Sequence, residues 1–193
     1  MLRRGCAGYT DGMAVATRVS LSDFLAMEET KPYRELIDGE VVEKSMPTQS
    51  HSDVVLALSH SLMNHLRGAG LGKLFTELRC WYGPEDRVYL PDLCLFRANN
   101  LPPPGQNPVE VVPDFVIEVL SPDDRATRVI EKVQFYLRAG VPLLWVVDPE
   151  RETVTVYRPQ EAPAEAALPS KLAAAPVLPG FEVDLGALFA SAR

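Results

Sequence analysis

The stretch PDFVIEVLSPDDRATRVIEK, residues 113–132, decides the fold. It opens as a Val/Ile-rich strand over 112–120, crosses a polar loop, and continues as a helix starting near Asp124. Ala126, Val129, Ile130, Val133, Tyr136 and Leu137 recur at helical spacing on one face, and Gly140 supplies the stop. The run PLLWVVD, 142–148, is continuously apolar, as a central strand buried on both faces should be. Strand, helix and strand make a βαβ unit with parallel strands and a right-handed crossover. Its first strand nevertheless carries Asp114 and Glu118, which with Val116 share one face. An ionised carboxylate buried there has to be paired, neutralised or bound to a metal.

Working outward, ETVTVYR (152–158) alternates like a half-exposed edge strand, and 159–180 reads as a loose Pro/Ala excursion before the closing GFEVDLGALF. Upstream, 21–29 reads as a short helix capped by Ser20 or Ser22. YRELIDGEVVEKS (33–45) reads as a hairpin turning at Asp38-Gly39, which sets Ile37 opposite Glu40 and Leu36 opposite Val41. Val54, Val55, Leu58, Leu62 and Leu66 predict a helix over 50–70. Segments 72–83 and 87–98 read as two strands joined by PED, and 99–108, with four prolines, as an exposed loop. The whole reads as an α/β chain with a mixed sheet: a disordered lead-in over 1–19 and one domain over 20–193.

The bulk numbers narrow the function. The 193 residues suffice for one core, and 47% hydrophobic with 23% charged residues is ordinary for a globular protein. No run is long enough to span a bilayer, and no apolar segment follows the early arginines, so neither a membrane nor a secretory signal is expected. Three cysteines without a CxxC pair argue against a disulfide framework or zinc site and for a cytoplasmic protein. The net charge of −7 counts against broad non-specific nucleic-acid binding, although a metal can neutralise a carboxylate cluster.

YLPDLCLF and VVPDFVIEVL each lead a Pro-Asp into an apolar strand, so Asp92 and Asp114 join Glu118 as candidates. Carboxylates gathered from separate strands are how proteins hold Mg²⁺. Lys132 lies about 12 Å along its helix at 1.5 Å per residue, nearly level with Glu118, at the border of the apolar face. Asp, Glu and Lys together suit phosphodiester hydrolysis: the carboxylates fix metal ions, and the lysine holds or deprotonates water or neutralises developing charge.

The strings YRELIDGEVVEKS, VYLPDLCLF, the segment 113–158 and LPGFEVDL resemble the Uma family of restriction endonucleases, within the PD-(D/E)XK nuclease superfamily. The resemblance covers about residues 20–189 and implies a restriction-endonuclease-like single domain, a mixed central sheet flanked by helices. It also implies Mg²⁺ or Mn²⁺ at Asp92 and Glu118, DNA as substrate and a homodimer. The superfamily lysine position is Leu120 here; the family pattern moves the lysine to the following helix, which fits Lys132, with Gln134 a weaker neighbour. Glu40 and His51 match further polar positions of the family and join the expected catalytic set with Asp92, Glu118 and Lys132.

Blander readings stand beside these. Asp92 and Asp114 could be turn residues, Glu118 the partner of an arginine, Lys132 a snorkelling surface lysine, and His51 a helix-terminus residue. SPDD (121–124) reads as a loop and cap, with Asp123 and Asp124 only marginal as ligands. Two further functions remain: an inactive nuclease-fold module binding nucleic acid or protein, and a metal-dependent hydrolase of small phosphate esters.

Overall fold

The computed structural model describes residues 18–82 and 87–190; most of the expected lead-in and the PED turn fall outside them. After α1 (Leu21–Ala26), capped by Ser20, come the hairpin strands β1 (Arg34–Ile37) and β2 (Glu40–Glu43). The register is the one expected, Leu36 with Val41 and Ile37 with Glu40. Asp38 and Gly39 both have positive φ, 52° and 81°, as a turn of this hand requires. Then follow α2 (Gln49–Ala69), β3 (Gly72–Thr76), β4 (Cys80–Trp81), β5 (Arg87–Tyr89), β6 (Leu93–Arg97) and β7 (Phe115–Val119). The chain continues through α3 (Ala126–Ala139), β8 (Leu144–Asp148), β9 (Thr153–Tyr157), β10 (Ala164–Ala167), β11 (Lys171–Ala173), β12 (Glu182–Asp184) and α4 (Leu185–Ala190).

The main sheet runs β10-β9-β8-β7-β6-β3. Only β7 and β8, the strands joined through α3, pair in parallel, so the sheet is mixed. Alternation along β7 splits the core. Phe115, Ile117 and Val119 face Val54, Leu58, Leu62 and Leu66 of α2, together with α4. Val116 faces Val133, Phe135 and Tyr136 of α3. A smaller sheet, β2-β1-β5-β4, closes over this second layer and shares its core through Ile37, Cys80 and Tyr89. Burial of these faces, at roughly 25 cal/mol per Å² of apolar surface, is the main term holding the layers together.

Four expectations need correction. The segments 72–83 and 87–98 are not two strands but four. Glu77 turns at φ 49°, and Pro91, lacking an N–H, interrupts the ladder; the outer halves join the main sheet and the inner halves the small one. β9 is no edge strand, because β10 from the supposed excursion pairs along it. Ala and Glu give β10 little strand signal, and tertiary pairing decides. On α3, which starts at Ala126, Ile130 is 55% exposed while Phe135 is buried, so the core face is rotated toward Lys132 and Val133. Finally, Arg125 is the N-cap of α3, whereas Asp124 closes the preceding turn by accepting from Ser121 N.

Candidate active site

β6 and β7 are antiparallel with Leu93 across from Ile117. One step further, Asp92 comes alongside the Glu118–Val119 end of β7. The side chain of Asp92 accepts from Val119 N at 2.8 Å, which fixes it there. Glu118 shares the α3 face with Val116, and α3 runs back over it. Tyr136 hydroxyl donates to Glu118 Oε1 at 2.8 Å, and Lys132 Nζ stands 3.4 Å from Oε2. A lysine is Glu118's charged partner, then, and the arginine reading fails. The position of Lys132 is that expected from helix rise.

The small sheet adds two charged groups that the sequence reading did not single out. Glu35 on β1 is buried, lies 2.9 Å from Lys132 Nζ, and accepts from Leu90 N at 3.0 Å. Lys44, just after β2, bonds Asp92 Oδ1 at 2.9 Å and Leu90 O at 2.7 Å. Both had a signal. In β1, Glu35 alternates with Leu36 and shares the face of Ile37, which enters the α3 core, so it is a charge on an apolar face as Glu118 is. Lys44 carried only its place beyond a hairpin, which says nothing about its target.

His51 joins from α2. Thr48 Oγ1 caps that helix by accepting from His51 N, so the imidazole is not needed there. Its Nε2 lies 3.4 Å from Asp92 Oδ2, while Nδ1 is buried with no protein partner. Glu40 is not brought into the cluster. Its side chain is 69% exposed and pairs with Arg128 at the rim. Gln134 is exposed on the far side of the α3 face. Asp114 belongs to the other end of β7. It accepts from Arg97 N, Arg97 Nε and Asn100 Nδ2 at 2.8, 2.6 and 3.0 Å, and so ties down the loop after β6. Asp124 bonds Ser45 Oγ and Ser121 N instead of facing the carboxylates.

Three carboxylates, Asp92, Glu118 and Glu35, thus surround two ammonium groups, Lys44 and Lys132. Burial would raise the Asp92 pKa, but Lys44 and His51 outweigh it and hold the group below the usual carboxylate range. Burial would lower Lys132, but Glu118 and Glu35 outweigh it and hold the ammonium firmly protonated. Lys44 behaves alike, with Asp92 overcoming burial. Glu118 is the group left short: burial pushes it up to about 7, and Lys132 only partly offsets this. The cluster floors an open cleft of about 1130 Å³, walled by Met46, Pro47, Val55 and Leu56 and rimmed by Glu40, Asp123 and Arg128. Among the described residues no three His, Cys, Asp or Glu side chains form a ready-made metal cage. None of the helices described is long and apolar enough to cross a membrane.

A mixed sheet carrying Asp and Glu on adjacent strands, with a lysine beside them under an open cleft, defines the restriction-endonuclease-like class. The chain belongs to the Uma2 family, described as "Putative restriction endonuclease", whose model matches residues 21–186. It is similar to the crystal structure of "a putative nuclease belonging to DUF820" from Anabaena variabilis ATCC 29413, at 28% identity and TM-score 0.81 over 91% of this chain and 99% of that one. None of the curated proteins matches it.

Proposed function

We propose that the protein is a metal-dependent endonuclease that hydrolyses phosphodiester bonds in DNA. The observation carrying this reading is the convergence of Asp92, Glu118 and Lys132 on the floor of one open cleft. Membership of a family described as restriction endonucleases supports nucleic acid as the substrate.

The residues present fit a divalent cation. The donors are carboxylate oxygens, which suit Mg²⁺ or Mn²⁺. Three carboxylates, Asp92, Glu118 and Glu35, face two ammonium groups, Lys44 and Lys132, which leaves one carboxylate in excess, and Glu118 is the one whose burial its lysine only partly offsets. Asp92 and Glu118 would hold the ion, which when bound supplies an acidified water and neutralises charge on the phosphate.

The chain's own groups do the rest. The Lys132 ammonium, held protonated in the metal-free cluster by Glu118 and Glu35, holds the attacking water or a phosphate oxygen and offsets the charge that develops there. Lys44 keeps Asp92 ionised and aimed, with Val119 N on its second oxygen. His51 borders the same carboxylate from α2 through Nε2 and lines the cleft. Glu40 and Arg128 act at the rim, where an incoming strand would pass. Cutting both strands of a duplex with one site per chain calls for two copies, so a homodimer belongs to this reading.

The test incubates the protein with plasmid and single-stranded DNA in Mg²⁺ or Mn²⁺, beside Glu118→Ala and Asp92→Ala, with small phosphodiesters as a second substrate class. Metal-dependent cutting abolished by both substitutions is the expected result. Turnover of the small esters alone would move the activity away from nucleic acid. No cutting, with no metal binding by calorimetry, would leave a binding module on a nuclease fold.

A further inference from the structure

We infer that Glu35 is a positioning residue that holds the Lys132 ammonium off Glu118 and so keeps Glu118 free for a cation; this rests on the nuclease reading. Lys132 projects from a helix on a long, flexible stem whose ordering costs rotamer entropy. Three groups fix its end: Glu35 at 2.9 Å, Glu118 at 3.4 Å, and the Tyr89 ring with its centroid 5.7 Å away. The shorter ion pair is the one to Glu35, not the one to the carboxylate at the end of β7. Glu35 is itself anchored, because Oε1 also accepts from Leu90 N, two residues before Asp92. Without its charge, Lys132 has one carboxylate left. It would close on Glu118, and a full ion pair there would occupy the oxygen a cation needs. The small sheet therefore does more than cover the α3 layer: through β1 it divides the lysine from the β7 carboxylate.

Glu35→Gln separates this role from a structural one, because the amide oxygen still accepts from Leu90 N and leaves Lys132 only a neutral acceptor there, a weaker hold than the Glu118 carboxylate. In a metal-free crystal structure of this variant, Lys132 Nζ should move to about 2.8 Å from Glu118, the distance of a full charge-assisted bond. Metal affinity by calorimetry should weaken about tenfold. On DNA, kcat should fall about tenfold with KM little changed, because the shift from 3.4 Å to about 2.8 Å is smaller than the full-ångström displacement that costs about 100-fold. An unmoved Nζ with unchanged metal affinity would overturn the inference. If the wild-type protein neither binds metal nor cuts, the nuclease reading fails, while the Nζ position still decides the role of Glu35. Should Glu35→Gln not fold, Lys132→Met is compared with the Glu35→Gln/Lys132→Met pair. The double variant should be the more stable in urea, since Glu35 then has no cation to hold. A less stable double variant would show that Glu35 serves the fold independently of Lys132.

Discussion

Glu118→Gln should abolish the pH dependence of stability that Glu118 imposes on the metal-free protein. The Glu118 carboxyl is pushed up to about 7 from an ordinary 4.5, chiefly by burial. The folded state therefore holds this proton more tightly than the unfolded chain does. Its contribution is fullest below pH 4.5 and is lost as pH rises through 7. The total loss is about 3 kcal/mol, of which about 2 kcal/mol falls between pH 5.5 and 8. Glutamine fills the same space, can still accept from Tyr136, and does not titrate. Asp92, held below the usual range, stays ionised across this window and adds no slope of its own.

The assay is urea denaturation of both proteins in chelator at pH 5.5 and pH 8. Groups common to the two cancel in the difference. The variant should gain on the wild type by about 2 kcal/mol over the interval. Saturating Mg²⁺ at about 100 times its dissociation constant should then restore about 2.7 kcal/mol to the wild type at pH 8 and little to the variant. A difference that stays flat with pH would mean that Lys132 keeps Glu118 ionised throughout. The argument from burial, and the spare charge invoked for the cation, would then be wrong.

Four further outcomes follow from the same geometry. Asp92→Asn strands the buried Lys44 ammonium and should cost about 3–5 kcal/mol in urea, well beyond a surface substitution. Asp114→Asn removes the charge from bonds to Arg97 and Asn100 and should cost about 1–3 kcal/mol, while the folded fraction cuts DNA at the wild-type rate. Gly72→Ala would place a Cβ 2.2 Å from the Phe96 carbonyl oxygen, a backbone atom that cannot swing aside; a loss of about 3 kcal/mol or more in thermal or urea unfolding is expected. Leu58→Ala opens a cavity between α2 and β7 and should cost about 2–5 kcal/mol without changing metal affinity.

Where the sequence was legible, the signal was local. The βαβ unit announced itself through an uninterrupted apolar run at 142–148 and a helical stripe ending in Gly140, and β8 and α3 are both there. Asp38-Gly39 carried its own turn geometry and hence the hairpin register. The breaks inside 72–83 and 87–98 were not legible as sheet changes, because a residue at positive φ and a proline interrupt a strand without saying which sheet takes up each half. β10 was hidden for a related reason: its partner β9 is already complete as a pattern, and only the open edge decides that an Ala/Glu segment pairs with it.

The site divides along the same line. Asp92, Glu118 and Lys132 lie within the central βαβ region and its neighbouring strand, so helix rise and strand alternation place them. Pro-Asp alone does not distinguish Asp92 from Asp114. The antiparallel register does, by bringing one beside Glu118 and the other beside Arg97 at the opposite end. Glu35 and Lys44 come from a hairpin more than 45 residues upstream, and nothing in their own segment says that it folds over α3. A lysine carried on a helix instead of beside its acid on the strand needs an anchor from outside that strand. In this chain the nearest group is Glu35, and the hairpin that brings it also brings Lys44 to Asp92. The small sheet therefore supplies one member to each half of the cluster, which ties the folding of β1 and β2 directly to the geometry of the cleft floor.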